Sequence, residues 1–174
     1  MAAKIIAKRP DAYLEKNAKL LMGLARLDIH AQSYQKAFSH LRQAETIIRE
    51  KELDWWLPVV LHFTGTAHRL TGDDALAREQ FLLSLSAIRQ NGCPDYKPLT
   101  LLNLAQLTPN RTKQEQLLRD CVSQARQRAR LLDKITCLEM AGRLFGAMGH
   151  EKLKQERQNL INEAQRLQNR VQMP

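Results

Sequence analysis

The sequence predicts an all-α protein, and three observations carry that expectation. From Asp11 onward, apolar residues recur at steps of three and four, and no segment alternates with the period of two that marks a half-buried strand. Leu, Ala, Gln, Arg, Lys and Glu dominate, aromatics make up 5%, and 174 residues hold only 7 glycines and 6 prolines, a mixture that favours helix. Finally, turn-forming residues cluster at residues 28–31, 52–54, 71–73, 91–97 and 108–111, around Arg130 and at Gly149, which leaves eight helices between them.

In order along the chain, residues 1–10, MAAKIIAKRP, read as a flexible basic N-terminus. Their apolar run is too short for a signal-peptide core, and no small-residue cleavage site follows. Residues 11–174 read as one helical repeat domain, with hairpins at about 11–52, 54–92, 97–130 and 131–171. Asp54 stands before WWLP, where its carboxylate is placed to cap the third helix while Pro58 occupies the first turn and costs no internal hydrogen bond.

That third helix contains Gly65, which costs about 1 kcal/mol against alanine inside a helix and therefore predicts a neighbouring helix passing too close for a side chain. Gly72 is placed to take the positive φ that ends the helix, and Asp73 or Asp74 to cap the next. Ala77, Phe81 and Ser84 then form the inner stripe of the fourth helix. NGCPDYKP, residues 91–98, supplies a helix-ending glycine followed by two prolines that block continuation. Pro109 shortens the fifth helix. The last helix, from Glu151, sets Leu153, Leu160, Ile161, Ala164, Leu167 and Val171 on one side; this stripe suits a solvent-tolerant cap, or a homo-oligomer formed through the C-terminal helix.

The chain repeats itself. Leu21, Ala25, Tyr34, Ala37, Leu41 and Ala44 match Leu61, Gly65, Asp74, Ala77, Phe81 and Ser84 at a shift of 40. A looser copy follows at the same shift in Leu101, Ala105, Gln114, Leu117 and Cys121, and a fourth after 36 in Cys137, Ala141, Leu144 and Leu153. Such spacing marks stacked helical pairs. The order Leu61, Gly65, His68, Gly72, Ala77, Phe81 resembles the tetratricopeptide repeat signature, with His68 where an aromatic is usual, and the period near 40 is similar to the longer variety found in sensor arms of some bacterial transcription activators and in large eukaryotic assemblies. The resemblance implies a right-handed superhelix of four hairpins. It also implies a concave groove lined by the first helix of each hairpin, at Arg26, His62, Thr66, Arg69, Asn103, Gln106 and Arg143. These side chains suit an acidic protein or peptide partner. The lysine and asparagine set that clamps a terminal carboxylate in some family members has no counterpart here.

Other functions find less support. No glycine-rich phosphate loop, nucleophile elbow or paired metal-binding histidines occur, so the expectation is a non-enzyme with no metal or cofactor. Cys93, Cys121 and Cys137 fit neither a disulfide framework nor a zinc site; they fit a reducing, cytoplasmic compartment, with Cys121 and Cys137 as small buried hydrophobes. No apolar run approaches the about 20 residues needed to cross a bilayer. Net charge is +9, with the excess at both ends of the chain. Arg119, Arg126, Arg130 and Arg143 offer the rival reading, a nucleic-acid-associated regulatory part contacting phosphate, although QARQRAR has no flanking aromatic for base stacking. Trp55 and Trp56 diverge by about 100° on a helix, so one of them is a candidate exposed anchor for a partner.

Overall fold

The computed structural model describes residues 10–128, 130–149 and 151–172, so the N-terminal segment 1–9 lies outside the described residues. All regular structure among those residues is helical. The eight α-helices are α1 (Pro10–His30), α2 (Tyr34–Glu50), α3 (Leu57–Leu70), α4 (Asp74–Asn91), α5 (Lys97–Gln106), α6 (Arg111–Arg128), α7 (Leu131–Ala147) and α8 (Glu151–Gln172). Each break falls where the turn residues predict it.

The sequence predicts one domain, but the chain divides into two compact units, Met1–Cys93 and Pro94–Pro174. In the first, α1 packs on α2 and α3 on α4, with α3 also against α1 and α2. In the second, α5 packs on α6 and α7 on α8, with α7 against both α5 and α6. The division coincides with the NGCPDYKP loop, where Gly92 takes φ +87 and Cys93 φ +57. Pro94 opens a single 3-10 turn there, Pro94–Tyr96. Pro98 lies in the first turn of α5, where a missing N–H costs nothing.

Turn chemistry repeats through the first unit. At the α3–α4 corner Gly72 has φ +85, its N–H donates to Arg69 O at 3.2 Å, and the Asp73 N–H donates to His68 O at 2.9 Å. This is a Schellman termination, in which the left-handed residue satisfies carbonyls that the helix end would leave open. Asp73 Oδ1 then accepts from Leu76 N at 3.2 Å and caps α4. The same bond pattern closes α1 at Gln32 and α2 at Glu52, with φ +57 and +52 on residues that are not glycine.

Asp54 does not cap α3. It starts a one-turn 3-10 helix, Asp54–Trp56, so α3 begins at Leu57 with Trp56 at the N-cap and no side-chain cap. Pro58 keeps its place in the first turn.

The crossing of α3 and α4 explains Gly65. A Cβ there would lie 2.8 Å from Phe81 Cε1 and 3.2 Å from the Ala77 carbonyl. Ala77, Phe81 and Ser84 are fully buried, and the Ser84 hydroxyl donates to Pro58 O at 2.8 Å, tying the middle of α4 to the start of α3. In the shorter α5–α6 pair, Leu117 is only half-buried, and Leu118, Cys121, Val122 and Ala125 form the inner stripe instead. The 10-residue α5 is followed by residues 107–110 rather than by a glycine-closed turn, which moves the buried phase of α6 one residue on. Likewise Leu144 is half-buried and Phe145 is fully buried in α7.

Candidate functional site

On α3 the apolar faces are nearly continuous, and the polar residues that remain decide what the helix offers. His62 is 4% exposed, with its ring 5.5 Å from Phe63 and 5.9 Å from Phe81. Burial, and then the charge of Arg69, push its pKa down to about 4. His62 is therefore a neutral core residue and not a groove contact. The Thr66 hydroxyl donates to His62 O at 2.9 Å and the Asn103 amide to Leu99 O at 3.0 Å, so both serve their own helices. Arg69 is half-buried, and its Nε has no acceptor among the described residues. Burial holds this guanidinium below the usual arginine range, and the charge of Asp74 opposes that shift. Of the other positions implied by the resemblance, Arg26 and Arg143 are exposed and Gln106 is half-buried.

The two tryptophans stay together at the surface. Their rings lie 4.6 Å apart, the Trp56 Nε1–H donates to Glu15 Oε1 at 3.1 Å, and Lys19 Nζ sits 4.7 Å from the Trp56 ring centre. Lys19, and then Trp56, hold the Glu15 carboxyl below the usual range through hydrogen bonds. Trp56 is half-buried by this contact with α1, while Trp55 remains 48% exposed. The residues of the repeated pattern have structural places: Leu61 and Gly65 are buried, and the His68 ring meets Phe38 at 4.7 Å.

A different face of α3 carries the concave feature of the first unit. A cavity of about 590 Å³ opens between α2, α3 and α4. Phe38, Leu41 and Leu61 give it an apolar floor, Leu83 stands exposed at its rim, and Arg42 and Arg49 stand on its α2 side. Arg49 is already engaged by Glu45 at 2.7 Å. The Arg42 guanidinium has no hydrogen-bond or ion-pair partner among the described residues. Sequence reasoning missed this set. The signal was available in Phe38 and Leu83, large apolar residues one step off the buried phases Ala37–Leu41 and Phe81–Ser84.

In the second unit two of the four arginines of the stripe are paired with carboxylates. Arg119 bridges Glu115 at 2.9 Å and Glu156 at 3.0 Å, and Arg126 meets Glu163 at 2.6 Å. Cys121 and Cys137 are fully buried, and hydrogen bonding to Cys121 together with burial push the Cys137 thiol far up, which leaves it unreactive. No group of three or more His, Cys, Asp or Glu side chains placed to hold a metal occurs among the described residues, and no described helix is long and apolar enough to cross a membrane. No family model matches the chain, and neither curated proteins nor solved structures give a match to it.

Proposed function

We propose that the chain is a non-enzymatic interaction module, built from helical hairpins of the tetratricopeptide-like kind, that binds an acidic peptide segment of a partner protein carrying one apolar side chain. The observation that carries this reading is the cavity between α2, α3 and α4: its volume lies in the range of ligand sites, its floor is apolar, and Arg42 stands beside it with unused donors. An apolar side chain of the peptide fills the floor, and a neighbouring carboxylate takes the Arg42 guanidinium. Rigid paired helices hold both features in place before binding, which lowers the ordering cost of association. The ion pairs of Arg119 and Arg126 weigh against the phosphate-binding alternative, because their donors already face carboxylates.

The test uses fluorescent peptides that combine one Leu or Phe with flanking glutamates. Arg42→Ala weakens their binding by roughly ten- to a hundredfold, since a charge-assisted hydrogen bond is worth roughly 1.5–3 kcal/mol and tenfold is about 1.4 kcal/mol. Leu83→Glu, at an exposed rim position, abolishes binding without lowering the melting temperature. Binding to RNA or DNA with a log–log salt slope of several units, unchanged by either substitution, overturns the reading in favour of phosphate contacts.

A further inference from the structure

The helix α1 is apolar on two faces. Ala18, Leu21, Met22, Ala25 and Ile29 are buried within the first unit. On the other side Tyr13, Leu20, Leu24 and Leu27 are 71%, 62%, 37% and 62% exposed. At 100° per residue these four fall within about 60° of one another, so they form one continuous stripe along the helix. Contiguous exposed apolar surface of this kind is uncommon on a soluble domain and marks an interaction site.

The internal repeat shows what such a face is built to receive. At the shift of 40, Leu20, Leu24 and Leu27 correspond to Val60, Thr64 and Ala67 of α3. Val60 and Ala67 are fully buried, and Thr64 lines the cavity beside Phe38 and Leu41 of α2. On α3, therefore, the equivalent face is covered within the protein. On α1 the same face carries larger side chains and lies open.

We infer that the outward face of α1 is the docking surface for an acidic, leucine-bearing amphipathic helix of a partner protein. Charge selects the partner. Lys16 and Arg26 are exposed along one side of the stripe, whereas the described carboxylates of α1 are engaged, Glu15 by Lys19 and Trp56 and Asp28 by His40 at 2.8 Å. Glutamates flanking the leucines of an incoming helix meet these cations, and a basic helix is repelled. A second copy supplying α8 head to tail fits poorly: none of the described side chains of α8 is an exposed large hydrophobic, and its Leu160 and Ala164 are already buried. The surface is separate from the α2–α3–α4 cavity, so the two proposals stand or fall independently.

The test uses the full chain and three synthetic helical peptides: one with leucines on one face and glutamates beside them, a second with lysines for the glutamates, and a third with serines for the leucines. The acidic leucine peptide binds; the other two do not. Leu20→Gln, Leu24→Gln and Leu27→Gln together weaken that binding at least tenfold while helicity and melting temperature hold, because the three side chains are solvent-facing. Lys16→Glu with Arg26→Glu leaves the stripe intact and reverses the preference toward the lysine peptide, which keeps the proposal testable if the triple variant fails to fold. Arg42→Ala leaves all of this unchanged. Equal binding by the triple variant, or equal binding of the serine peptide, overturns the proposal. Sedimentation showing a wild-type dimer that the triple variant loses, with no peptide bound, assigns the face to a second copy instead. Binding only to vesicles containing phosphatidylserine assigns it to a membrane surface, and that also overturns it.

Discussion

At the scale of single residues, two glycines and a histidine do different physical work in α3 and the corner that ends it. Gly65 is a packing position. Alanine there gains about 1 kcal/mol of helix propensity, but its Cβ falls 2.8 Å from a fully buried phenylalanine ring, which must shift within the core to admit it. Gly65→Ala is expected to lower stability by about 1 kcal/mol in the native background and to raise it in a Phe81→Leu background, a sign change that a double-mutant cycle by urea melts would detect. Gly72 is a conformational position, with nothing within 4 Å of a Cβ and φ +85. Gly72→Val should therefore cost about 1–2 kcal/mol through backbone strain alone, and Gly72→Asn much less. An unchanged melt in the valine variant would contradict the left-handed turn. His62 adds a pH dependence. Its folded pKa, about 4, lies below the ordinary 6.5, so between those values the unfolded chain binds a proton that the folded chain refuses. Stability is fully present above pH 6.5 and falls toward pH 4, by up to roughly 1.4 kcal/mol per pH unit. His62→Gln should flatten melting temperature against pH in that window.

Between elements, the hairpin turns and the ion pairs obey different economies. The α1, α2 and α3 termini share one hydrogen-bond pattern, yet only the third uses glycine; Gln32 and Glu52 accept positive φ without it. These two corners are fixed by the packing of the helices they join, so sequence marks the turn but not its conformation. The pairs linking α6 to α8 are exposed, and each is worth about 0–1 kcal/mol. Their effect on ligand choice is larger. Glu115→Gln with Glu156→Gln and Glu163→Gln should change stability by about 1–2 kcal/mol at most, measured by chemical denaturation, while releasing Arg119 and Arg126 for anions. Retention on heparin at moderate salt should rise in the triple variant. If it does not, these arginines have another partner that keeps them from phosphate.

For the molecule as a whole, the legible part was what each residue contributes alone, and the illegible part was which surfaces meet. Helix boundaries followed from Pro58, Gly72, Asp73 and Gly92, whose chemistry is local. The repeat at 40 residues located Leu21, Leu61 and Leu101 in equivalent buried positions, because periodicity reports apolarity. It does not report occupancy. Leu20 and Leu27 are large and apolar yet face outward, and His62 is polar yet buried, since both outcomes depend on whether another helix covers that face. The division after Cys93 was hidden for the same reason: a loop announces a break in helix, not a break in core. Each unit nevertheless has its own fully buried residues, Leu41, Ile48, Val60 and Phe81 in the first and Leu118, Leu138, Phe145 and Leu160 in the second. Chains well above about 40 residues can hold a core unaided. Residues 1–93 produced alone are thus expected to melt in one cooperative transition, with a urea m-value near half that of the full chain because m scales with the surface exposed. A fragment that is helical but melts without cooperativity would mean that Val60 and Phe81 owe their fixed packing to residues 94–174, and the first unit would then be a contact cluster without a core of its own.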